Sequence, residues 1–129
     1  MPTENRYDLY ITDQERNIIL EERSIAVHTA ERIIRDYPWR DSRKSHAQFW
    51  QQNTKFSFSI YYVGSIKKFE VGFSDKASRF KLPLPHVGAT YGILSDIDKV
   101  IEPLHLFFGG ELEKLKRFLA KYPPEQKED

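Results

Sequence analysis

The chain has 129 residues, a net charge of +1 and no cysteine. That length suits one domain of ordinary size. The lack of thiols excludes a disulfide-stapled secreted scaffold, a thiolate zinc site and a cysteine nucleophile.

Nine Phe and seven Tyr suffice for an aromatic core that needs neither metal nor disulfide to hold it. The first residues, Met1 to Asn5, show no charged n-region followed by an apolar stretch, so no secretory signal is expected. No apolar run approaches the ~20 residues of a membrane span. A cytoplasmic protein without membrane association is the expectation.

From Arg6 to Ile11, Tyr7, Leu9 and Ile11 alternate with Asp8 and Tyr10, the pattern of a strand. The next stretch admits two readings. In one, Thr12 and Glu15 form a capping box and a single helix runs from about Asp13 to Tyr37. In the other, Asp13 to Arg16 turn, Asn17 to Glu21 form a second strand, and the helix starts at Ile25. The β-branched Ile18-Ile19 favours the second. Pro38 ends the helix in either case. Asp41 to Gln52 reads as a short polar helix with Ala47, Phe49 and Trp50 turned inward.

Three alternating runs follow between Lys55 and Pro85. Phe56, Phe58, Ile60 and Tyr62 form the first. Phe69, Val71 and Phe73 form the second, after Gly64-Ser65. Phe80, Leu82 and Leu84 form the third, after Ser74-Asp75-Lys76. Period-two alternation with short turns predicts a three-stranded antiparallel meander. Pro83 and Pro85 put its third strand on an edge or end it. His86 to Gly92 reads as a loop.

Ser95 is placed to cap a helix whose start is favoured by Asp96 and Asp98. Pro103 is expected to bend or end that helix, and Gly109-Gly110 to stop it. Glu111 to Tyr122 predicts a last helix, with Leu112, Leu115, Leu119 and Tyr122 in one stripe. Pro123-Pro124 closes it, and 125–129 reads as a disordered tail. The expected fold is α+β: an antiparallel β-meander sheet of three to five strands with helices packed on one face, as a single domain over 1–124.

Residues that could carry chemistry are few. No two of His28, His46, His86 and His105 stand at metal-ligand spacing, and no metal or other cofactor is expected. His86 is the histidine a loop would present, although a plain surface histidine explains it more readily. Ser59 and Ser65 lack the glycines of a nucleophile elbow. Glu21-Glu22 point to opposite faces of a strand, and Asp96 and Asp98 are explained by capping. Gly88 to Gly92 lacks the lysine and spacing of a phosphate loop. These observations lean away from an enzyme.

The surface is more informative. Residues 51–90 hold 6 Lys/Arg against 2 Asp/Glu, the one basic segment. With Phe56, Phe58 and Ile60 inward, Ser57, Ser59 and Tyr61 face out, joined by Lys68, Glu70, Arg79 and Lys81, with Lys67 and Lys76 near the turns. Such a face binds single-stranded nucleic acid when aromatics stack bases and cations track phosphates. It also suits a protein partner, or simply water. Trp39-Arg40 is a second candidate, since Trp and Arg are over-represented at interface hot spots. Trp39, after Pro38, is expected to be partly exposed, and Trp50 to be core. The candidate partner-binding residues are therefore Trp39, Arg40, Tyr61, Lys67, Lys68, Arg79 and Lys81.

In size and style the chain is similar to small bacterial or phage proteins that act by binding, such as toxin-neutralising immunity proteins and inhibitors of host defence enzymes. The similarity implies a non-enzymatic module whose partner is a protein of toxin or host-enzyme type. Nucleic acid is the alternative partner. Monomer and homodimer both remain open.

Overall fold

The computed structural model describes residues 5–13, 17–39, 46–50, 56–74 and 89–123. The alternation in the first segment gives β1 (Tyr7–Thr12), which turns back through β2 (Ile18–Ile25) and continues into α1 (Val27–Asp36). The hairpin reading of the N-terminal third is therefore the right one. Thereafter come β3 (His46–Trp50), β4 (Ser57–Val63), β5 (Lys68–Ser74), β6 (Ala89–Leu94), α2 (Ile97–Phe108) and α3 (Leu112–Ala120). The strands form one antiparallel sheet in the order β2-β1-β3-β4-β5-β6, and the helices pack on one face of it. The α+β architecture is as expected, with six strands rather than three to five.

The sheet is held by aligned apolar rows. Leu9 stands opposite Phe49, Phe49 opposite Phe58 and Phe58 opposite Phe73. In the next row Ile11 faces Ala47, Ala47 faces Ile60 and Ile60 faces Val71. All of these are buried. Over them lies α2, which buries Val100, Ile101, Leu104, Phe107 and Phe108. The ring of Phe107 is the hub, with centroids 4.6 Å from Tyr7, 5.3 Å from Phe58 and 6.1 Å from Phe73. These pairs, one tilted, one stacked and one edge-on, add to simple area burial.

Three elements differ from the sequence reading, one of them at two points. His46–Trp50 is a strand, not part of a polar helix, because Ala47 and Phe49 fill a slot between β1 and β4. Ala89–Leu94 is also a strand, not a loop. A Cβ on its Gly92 would lie 3.0 Å from the Leu119 carbonyl oxygen and 3.3 Å from its Cα, so the glycine lets the backbone of α3 settle on the sheet. The α2 N-cap is Asp96, whose side chain accepts from the Lys99 amide at 3.1 Å, one residue later than expected. Finally, α2 continues through Pro103 to Phe108. The proline ring is buried in the core face, so tertiary packing offsets the missing backbone hydrogen bond.

The Phe80–Leu84 run and the 125–129 tail lie outside the described residues. No described helix is long and apolar enough to cross a membrane.

Candidate binding surface on the helix-free sheet face

Among the described residues, all three helices share one core with the inward side chains of the strands. The opposite face carries no described helix. Since Leu9, Ile11, Ala47, Phe49, Phe58, Ile60, Val71 and Phe73 point to the helices, their neighbours in sequence point away. The strand register sorts these into rows. One row runs Tyr10, Gln48, Ser59, Gly72, Tyr91. There a Cβ on Gly72 would lie 2.7 Å from Tyr91 Cε1 and 3.0 Å from Ser59 Oγ, so the Tyr91 ring rests directly on bare backbone. The next row runs Ile18, Thr12, His46, Tyr61, Glu70, Ile93.

The second row matters most. β1 and β4 run in the same direction, with antiparallel β3 between them, so the β1–β2 and β4–β5 turns lie at the same end of the sheet. The large apolar side chains left exposed among the described residues are Ile18 (55%), Ile19 (52%), Ile66 (41%) and Tyr61 (38%). All four belong to that end. Ile18 and Tyr61 are three strand spacings apart, about 14 Å. Between them sits His46, its ring centroid 6.3 Å from that of Tyr61. Burial pushes the His46 imidazole below its ordinary value, which favours the neutral ring.

Charge on this face is mixed. Lys68 and Glu70 come from β5, Asp8 from β1 and Glu21 from β2. Arg23 donates to Glu21 at 2.6 Å. Lys67 occupies the β4–β5 turn at φ 56, in the left-handed region that L side chains rarely adopt.

Of the residues singled out from sequence, the structure brings together Tyr61, Lys67 and Lys68. Trp39 is a correction. It is only 4% exposed and belongs to the helix side. Its Nε1 donates to the Ile34 carbonyl at 2.9 Å, and its ring stands edge-on to Tyr37 at 4.7 Å and Phe69 at 5.8 Å. Both the apolar ring and its one polar atom are satisfied in the core, so the expected exposure is absent. Arg40, Arg79, Lys81 and His86 lie outside the described residues. Ile18, Ile19 and His46 were not among the sequence candidates, because their place beside Tyr61 depends on the pairing of β1 with β3.

A second polar cluster ties α1 to α2. Arg35 bonds Glu31 at 3.0 Å and Asp98 at 2.6 Å, and His105 Nε2 lies 2.6 Å from Glu31 Oε1. The hydrogen bond from His105, then that from Arg35, holds the Glu31 carboxyl below its usual value. These groups are solvent-facing and act as a screened clasp between helices. The described residues contain no group of three or more side chains placed to hold a metal ion.

No family model, curated protein or solved structure matches this chain.

Proposed function

We propose that the chain is a protein-binding module that acts in the cytoplasm and neutralises its partner, in the manner of an inhibitor or immunity protein. The observation that supports this reading is the gathering of Ile18, Ile19, Tyr61 and Ile66 at one end of the sheet, beside Lys67 and Lys68. Exposed aliphatic side chains around an aromatic ring, rimmed by charge, are the make-up of an interface centre. Three of the four stand on or beside β2 and β4, whose backbones are already ordered, so little entropy is lost on docking.

Nucleic acid is the weaker alternative. Lys68, with Arg79 and Lys81 as further cations, would track phosphates, but Asp8, Glu21 and Glu70 share the same face and oppose a polyanion. The test is capture of partners from native lysate on the tagged chain, with and without nuclease. The expected result is one stoichiometric, nuclease-resistant protein whose capture by a Tyr61→Lys/Ile66→Lys variant falls by at least about tenfold. Partners lost on nuclease treatment would transfer the function to nucleic acid. Capture unchanged by the two substitutions would remove this surface as the site.

A further inference from the structure

The two ends of the sheet are finished differently. β6, at one end, is met by the segment after α3, where the Ile93 amide donates to the Tyr122 carbonyl at 2.6 Å. β2, at the other end, pairs with β1 alone among the described residues. It contains no proline or lysine, the usual guards of an open edge, and is exposed along almost its whole length. Bulges bracket it. Ile19 is the extra residue between the pairs Ile11–Leu20 and Thr12–Ile18. At the far end Arg23 and Ser24 oppose Asp8 alone, with Ser24 at φ 54 and its amide bonded to the Asp8 carboxylate at 2.8 Å. The second bulge ends the regular edge at Glu22, and the first, at Ile19, falls within the Ile18–Glu22 stretch offered to an added strand, of which Leu20–Glu22 is in unbroken register.

We propose that this edge accepts an extended segment of the partner protein by strand addition, and that the segment reads basic residues followed by β-branched ones. This rests on the protein-binding reading above. The chemistry follows from the register. Glu21 projects to the helix-free face beside Tyr10, and Glu22 to the opposite face beside Leu9. Glu22 has no ion pair among the described residues. An antiparallel strand entering opposite Glu22 therefore meets that carboxylate first, then Glu21 on the other face, which already accepts from Arg23 at 2.6 Å, and then Leu20, Ile19 and Ile18. Lysines at its first two positions and β-branched residues at the next three match that order, with backbone hydrogen bonds supplying affinity and side chains the specificity. A second copy of the chain fits poorly. In the two-fold register that pairs all of Ile18–Glu22, Ile18 stands opposite Glu22 and Ile19 opposite Glu21.

The test uses the whole chain, ¹⁵N-labelled, titrated with an end-capped Lys-Lys-Thr-Val-Val peptide. Amide shifts centred on Ile18–Glu22 and slowed exchange of the β2 amides are expected. Affinity should fall by roughly tenfold for the reversed peptide, for one N-methylated at alternate residues, and for the native peptide on a Glu21→Lys/Glu22→Lys variant. That variant should instead gain affinity for Glu-Glu-Thr-Val-Val. Equal binding of the acidic and basic peptides by the unmodified chain, or shifts away from β2, would overturn the proposal. So would shifts of Ile18–Glu22 that depend on protein concentration alone, which would assign the edge to a second copy. If the peptide fails while Tyr61→Lys/Ile66→Lys still abolishes capture, strand addition is wrong and the binding function stands.

Discussion

His46 shows how one side chain can couple the candidate surface to stability. Its imidazole is held below the ordinary value of 6.5 by burial, so the unfolded chain binds a proton that the folded chain resists. Stability is then full above about pH 6.5 and falls as pH drops through that value, levelling off below the folded-state pKa. His46→Gln is expected to flatten this part of the curve, measured as urea midpoints between pH 7.5 and 5. Equal slopes for the two proteins would show that the imidazole is as well solvated folded as unfolded. Glu31 works in a lower window: its depressed carboxyl contributes above its ordinary value of 4.5 and is lost only as pH falls further. Gly92 makes a steric rather than electrostatic demand. A methyl group there would press on the Leu119 carbonyl oxygen at 3.0 Å and on Cδ2 at 3.1 Å, and helix backbone yields less readily than a side-chain tip. Gly92→Ala should cost about 1–3 kcal/mol, read from the urea midpoint. A midpoint at or above the wild-type value would mean that α3 slides freely on β6.

The elements differ in how openly the sequence displays them, and the reason is what covers each one. β4 and β5 announce themselves because Phe58, Ile60 and Tyr62, and Phe69, Val71 and Phe73, fill every inward position with a large apolar side chain. β6 conceals the same period, because its middle inward position is a glycine that receives helix backbone in place of a side chain. β3 is five residues long, and only Ala47 and Phe49 mark its inward side, with Ala47 equally at home in a helix. A proline inside α2 argues locally for a break, yet burial of that helix along one face outweighs one lost hydrogen bond. That balance gives a prediction for α2 as an element. Phe107→Ala removes the ring shared by Tyr7, Phe58 and Phe73 and should cost about 3–5 kcal/mol. Phe118→Ala, on the half-covered side of α3, should cost less than half of that in the same denaturation assay. Equal losses would mean that α2 is not the element on which the sheet is centred.

At the scale of the whole molecule, the strand order decides both what is stable and what is available to bind. The period-two pattern allowed Tyr61, Lys67 and Lys68 to be placed on or beside the outer face from sequence, because all three belong to one local hairpin. Ile18 and His46 join them only through the pairing of β1 with β3, which brings together segments separated by a helix and which no local periodicity encodes. The order β2-β1-β3-β4-β5-β6 can be read directly by native-state hydrogen exchange. Amides of β3, β4 and β5 have strand partners on both sides and sit over the Phe107 cluster, so they should open only with global unfolding and exchange slowest. In β2, amides directed at β1 should be protected, while those directed outward exchange close to the unprotected rate. Alternating fast and slow amides along Ile18–Glu22 would establish an edge open to a partner strand. Uniform protection across those five residues would mean that another part of the chain already pairs with β2. The exposed isoleucines would then belong to a closed sheet, and binding would have to rely on Tyr61 and Ile66 alone.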